Sequence, residues 1–94
     1  MTDEQLAGLV RETVANMPNE FDTHELILVL AQGNQRQYLR ALDETEGERP
    51  FQTFHARIGR TLDSLSSGLS LSGESSRSKD IFGQQSKCKL WTRQ

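Results

Sequence analysis

With 94 residues and one cysteine, Cys88, the chain has material for one hydrophobic core and none for an internal disulfide framework. The acidic opening Met1-Thr2-Asp3-Glu4-Gln5 lacks the basic stretch of a secretory signal. No apolar run approaches the ~20 residues that span a bilayer, so a cytoplasmic domain with no membrane partner is expected. The net charge of -2 hides an asymmetry: residues 1–50 carry ten acids and four bases, residues 51–94 three acids and seven bases. A polyanion is repelled by the first half and drawn to the second.

In chain order, a first helix is predicted from Asp3 to Met17. Thr2 caps it, Gln5 completes a capping box, and Leu6, Leu9, Val10, Thr13, Val14 and Met17 form one apolar stripe. Pro18 ends this first segment, residues 1–18. The helical core, residues 21–65, opens with Asp22 as the cap of a second helix and a staple between Phe21 and Leu26. The run Leu26-Ile27-Leu28-Val29-Leu30-Ala31 is apolar all round, which predicts a buried central helix. Gly33-Asn34 then breaks the chain. A third helix follows from Gln35 to Asp43, capped by Asn34, with Tyr38, Leu39 and Leu42 inward, although one bent helix through Gly33 is the alternative. Glu44 to Pro50 reads as a loop.

The clearest pattern is a fourth helix, Phe51 to Leu65. Phe51, Phe54, Ile58, Leu62 and Leu65 fall on one face, and Gln52, Thr53, Ala56, Arg57 and Arg60 on the opposite one, with Asp63 at its edge. The last segment, residues 66–94, is expected to be a β-ribbon. Leu69 and Leu71 start one strand and Lys87–Leu90 form the other, with the lysines outward and Cys88 and Leu90 inward. Eight of the fifteen residues from Ser64 to Ser78 are serine. That composition predicts a solvated, flexible connection. The fold class is therefore α+β, mainly α: a bundle of three to four helices followed by a small antiparallel β-ribbon, in one domain over residues 1–94. The predicted core is Leu6, Val10, Val14, Leu26, Ile27, Leu30, Tyr38, Leu42, Phe54, Ile58, Leu62, Leu69, Leu90 and Trp91.

This order of elements over Phe21 to Arg93 resembles the winged helix-turn-helix family. The resemblance implies that helix Phe51–Leu65 recognises DNA and that the ribbon Leu69–Trp91 is the wing. It assigns Gln52, Thr53, Arg57 and Arg60 to base or phosphate contacts, and Arg77, Lys79 and Lys87 to wing contacts. A second and closer resemblance is to a set of small bacterial proteins of unknown function. It rests on Phe21-Asp-Thr-His24, Pro50-Phe-Gln-Thr-Phe-His55, Ser78 to Gly83, Cys88 and Trp91.

Catalytic signatures are missing: there is no nucleophile elbow, P-loop or dinucleotide glycine pattern. Gly59 stands alone in a helix and reads as close packing. His24, His55 and Cys88 are the only His and Cys residues and are widely separated in sequence, so packing or hydrogen bonding is expected of them and no metal site. The expectation is a non-enzymatic module without cofactor. Its partner is DNA, through the residues above, or alternatively a protein, a reading the acidic first half keeps open.

Overall fold

The computed structural model describes Met1–Gln94 as four helices and a three-stranded antiparallel sheet. Helix α1 (Asp3–Ala15) begins with the expected capping box, in which the Thr2 hydroxyl and the Gln5 side chain exchange hydrogen bonds with each other's backbone N–H. Its predicted stripe is buried residue for residue, from Leu6 to Met17. The helix ends two residues early because Asn16 already leaves helical geometry. Two carbonyls at this end, on Val14 and Met17, accept from the guanidinium of Arg93. The last strand is thereby tied to the first helix.

Strand β1 (Glu20–Asp22) is a correction to the sequence reading, which gives only a helix cap there. Three residues are too few for alternation to register. The cap itself is present: Asp22 accepts from the Glu25 N–H, and the Glu25 carboxylate accepts from the Asp22 N–H. Helix α2 (Thr23–Gly33) and helix α3 (Gln35–Glu44) are separate, which settles the break at Gly33. Asn34 does not cap α3; its amide donates back to the Leu30 carbonyl and closes α2 instead.

Neither helix is as apolar in its setting as its sequence suggests. On α2, Leu26, Ile27 and Leu30 are buried while Leu28 and Val29 face outward. On α3, Tyr38 and Ala41 are buried, Leu42 is half-buried, and Leu39 is 63% exposed. Only one side of each helix has an element to pack against.

Helix α4 (Pro50–Leu65) starts with proline at its first turn, where the missing N–H costs nothing. Phe54, Ile58 and Leu62 are fully buried, whereas Phe51 and Leu65, the ends of the predicted stripe, lie at the rim. Gly59 faces α2: a Cβ there would stand 3.7 Å from the Thr23 methyl group, which is ordinary contact. The packing therefore does not require glycine at this position.

The serine-rich stretch departs furthest from its sequence expectation. It is no flexible connection: after a turn over residues 66–70 it becomes strand β2 (Leu71–Lys79), paired residue for residue with β3 (Gln85–Arg93). Serine is compatible with a pleated strand when a partner satisfies its backbone, and composition does not record that partner. The sheet order is β1-β3-β2, with Phe21 opposite Trp91 and Leu71 opposite Arg93. Side chains alternate along paired strands, and the inward row is that of Phe21, Leu71 and Trp91. Over Lys87–Leu90 the predicted facing holds, with both lysines exposed and Cys88 and Leu90 the less exposed pair, and the buried row changes at Trp91. Leu69, Cys88 and Leu90 are half-buried.

At the hairpin tip, the Asp80 carboxylate accepts from the N–H groups of Phe82 and Gln84, and Gly83 takes φ +84°. Those donors, Gln84 first, hold the Asp80 carboxyl below its usual value.

Candidate functional site

Helix α4 and the hairpin enclose a groove of about 560 Å³. One wall is the polar face of α4, with Gln52, Ala56, Arg60 and Asp63. The other is β3 from Ser86 to Lys89, and the N-terminus of α2 lies between them. Contacts between the hairpin and α4 close the groove at both ends. At one end Lys89 bonds the Asp63 carboxylate and sits 5.5 Å from the centre of the Trp91 ring, whose Nε1 donates to Thr23 Oγ1 at 3.0 Å.

At the other end the hairpin tip folds back onto α4. The Phe82 ring meets Phe51 edge-on at 4.9 Å and stacks on His55 at 6.1 Å. His55 is in turn stacked on Tyr38, and the Tyr38 hydroxyl lies 2.6 Å from His55 Nε2. Burial holds His55 below the usual imidazole value; nearby Asp80 opposes the shift and His24 adds to it. Burial also raises Tyr38. The imidazole and the hydroxyl share this hydrogen bond, and the tip rests on that pair.

A pH dependence follows. A histidine depressed on folding contributes stability above its unfolded value, near 6.5, and loses it as the pH falls through the lower folded value. Thermal unfolding between pH 7.5 and 5 should therefore show a falling melting temperature. His55→Gln should flatten the histidine part of that slope; an unchanged slope would show that His55 does not carry it.

The structure divides the residues assigned to DNA contact. Gln52, Arg60 and Lys87 line the groove together. Thr53 and Arg57 line a smaller depression on another side of α4, with Met1 and Glu44, which Arg60 also reaches. Arg57 is committed to the fold, because its guanidinium donates to the Met1 carbonyl and to Asp3, both at 2.9 Å. Arg77 and Lys79 lie on β2, and Arg77 stands directly opposite Lys87.

By alternation, Arg77, Lys79, Lys87 and Lys89 share one row of the hairpin, and that row contains no acid. Of these four, only Lys89 has an ion-pair partner, and Arg60 has none either. Sequence reasoning includes Lys87 but not Lys89, because nothing in the sequence tells which lysine meets Asp63.

On the other row lies a cluster that sequence spacing does not disclose. His24 Nδ1 is 2.8 Å from Ser78 Oγ, which is 3.6 Å from Cys88 Sγ. Ligand-capable atoms of Asp22, His24 and Cys88 all lie within 4.8 Å of one another. Pairing of β1 with β3 brings Asp22 beside Leu90 and so close to Cys88.

No family description, curated protein or solved structure matches this chain. No helix is long and apolar enough to cross a membrane.

Proposed function

We propose that the chain is a DNA-binding module of the winged-helix type, working in a reducing, cytoplasmic setting. Helix α4 is its recognition element and the β2–β3 hairpin its wing. The observation that carries this reading is the cation row on the hairpin, with Arg77 and Lys87 face to face and no acid between them. Like charges directly opposite in a sheet destabilise it, so the pair works against the fold and is accounted for by a polyanion that bridges it. The succession of helices and then a hairpin, on which the family resemblance rests, supports the same assignment, as does the groove that places Gln52 and Arg60 beside Lys87.

Gln52 and Arg60 are the base-reading or phosphate contacts on the helix; Arg77, Lys79 and Lys87 are phosphate contacts on the wing. Thr53 is exposed on the neighbouring side of α4, in the depression that Arg60 also reaches, and stays in this set. Arg57 contributes by holding the start of α1 against α4.

The test is titration with random duplex DNA at low and then higher salt. Removing one phosphate-binding cation should reduce the slope of log affinity against log salt by about 0.9. Arg77→Ala with Lys87→Ala should weaken binding and flatten that slope without lowering the melting temperature, since the two cations repel each other in the free protein. Unchanged binding by the double variant, or no salt-sensitive binding by the wild type, would refute the reading. The second reading, a protein partner, is favoured by Leu39, Leu28 and Val29, which α2 and α3 leave uncovered. It predicts binding that survives salt and is abolished in Leu39→Glu.

A further inference from the structure

From the juxtaposition of Asp22, His24 and Cys88 we infer a binding site for a zinc-class divalent cation, which clamps the junction of β1 and α2 to the wing strand β3. The donor set is one thiolate sulfur, one imidazole nitrogen and one carboxylate oxygen. This borderline-soft combination selects zinc-like ions over magnesium or calcium, which take oxygen ligands. The charges balance, because a dication meets one carboxylate and one thiolate, the thiol proton leaving to solvent.

The geometry is nearly assembled. The three ligand atoms lie within 4.8 Å of one another. Bond lengths of about 2.0–2.3 Å in a tetrahedral site require ligand separations of roughly 3.3–3.8 Å. Closing the site therefore takes about 1 Å of side-chain movement, within reach of rotations at His24 and Cys88.

Asp22 is buried and already oriented, since one carboxylate oxygen accepts the Glu25 N–H at 2.8 Å while the other has no hydrogen-bond partner within the protein. A ligand carboxylate steadied in this way by an outer hydrogen bond is characteristic of metal sites. The fourth position falls beside the Ser78 hydroxyl, which bridges His24 and Cys88 and can complete the shell itself or hold a bound water.

The site joins elements that are otherwise held by a three-residue strand pairing and by side-chain hydrogen bonds of Thr23 and His24 to the hairpin. β1 contributes three residues to the sheet, and Asp22 and His24 stand at its end. A cation there fixes the hairpin against α2, on the opposite row from the cations Arg77, Lys79, Lys87 and Lys89. It works as a structural clamp independently of what the wing binds.

The experiment is titration of chelator-treated protein with zinc by calorimetry and with cobalt(II) by absorption. One metal per chain is expected, with a thiolate-to-cobalt charge-transfer band in the near ultraviolet. Cys88→Ser should abolish that band. Asp22→Asn keeps the helix cap, since asparagine caps as well as aspartate. Loss of supporting groups alone costs 10–100-fold in metal affinity, so loss of either ligand should weaken zinc binding more than about a hundredfold. His55→Gln, outside the cluster, should bind as the wild type does. Absence of the charge-transfer band, or zinc binding by Cys88→Ser as tight as by wild type, would overturn the assignment. If Cys88→Ser does not fold, amide shifts on zinc addition to the wild type decide: shifts centred on Asp22–Glu25 and Cys88 support the site, and shifts elsewhere overturn it.

Discussion

Replacing Phe54 by alanine should leave a protein that is largely unfolded or melts far below the wild type. Phe54 is 1% exposed, sits at the middle of the buried face of α4 with Ile58 and Leu62, and packs its ring 6.0 Å from that of Tyr38. Truncating a buried phenylalanine costs ~3–5 kcal/mol, through forfeited transfer energy and the cavity left behind. Small domains have only ~5–15 kcal/mol to lose. For a chain of this size each kcal/mol lowers the melting temperature by about 4–8 °C, so a drop of roughly 12–40 °C is expected. Tyr38 also holds His55, so the variant should loosen the hairpin tip as well. Denaturation followed by circular dichroism measures the effect. A melting temperature within a few degrees of the wild type would place the centre of the core elsewhere.

Gly73→Ala should destabilise the protein although it adds only a methyl group to a strand. A Cβ at Gly73 would lie 2.6 Å from Trp91 Cζ3 and 2.9 Å from Cε3, so the indole ring must move. It has little room to do so, being 2% exposed and tied by Nε1 to Thr23 Oγ1. Forcing an extra carbon into such packing costs ~1–3 kcal/mol. The gain from replacing a strand glycine, about 0.5–1 kcal/mol, offsets only part of this. Trp91 is the only tryptophan, so its fluorescence reports the shift directly. In a Trp91→Leu background the same substitution should lose its penalty, because the clashing ring is gone and the two sites are coupled. Equal penalties in the two backgrounds would show that the effect is a property of the strand and not of the ring.

These two residues also divide what is legible in the sequence from what is not. Phe54 can be read at once: it belongs to a long run with helical period, and local spacing decides which face of such a helix is apolar. The capping boxes at Thr2 and Asp22, the stripe from Leu6 to Met17 and the break at Gly33 belong to the same kind of knowledge. Each depends on residues within about one turn of each other, and the structure contains them all.

Gly73 cannot be read in this way. Its role exists only because β2 pairs with β3 in the register that lays Trp91 over it. The same pairing converts a serine-rich stretch into a strand and sets which row of the hairpin faces the core; β3 also recruits Glu20–Asp22 as a third strand. The candidate sites follow this division. The polar face of α4, with Gln52 and Arg60, is evident from periodicity. The opposition of Arg77 to Lys87 and the meeting of Asp22, His24 and Cys88 come from strand register. Arg57 turns from a ligand candidate into a brace once α1 lies against α4.

The helices, the N-caps of α1 and α2 and the buried faces of α1 and α4 are written in local sequence, because hydrogen bonds and side-chain spacing within a few residues settle them. Tertiary structure alone decided the strand register, the exposed sides of α2 and α3 and the composition of both candidate sites. A strand acquires its hydrogen bonds, its facing and its neighbours from residues distant in the chain, and local sequence does not specify which of them will arrive.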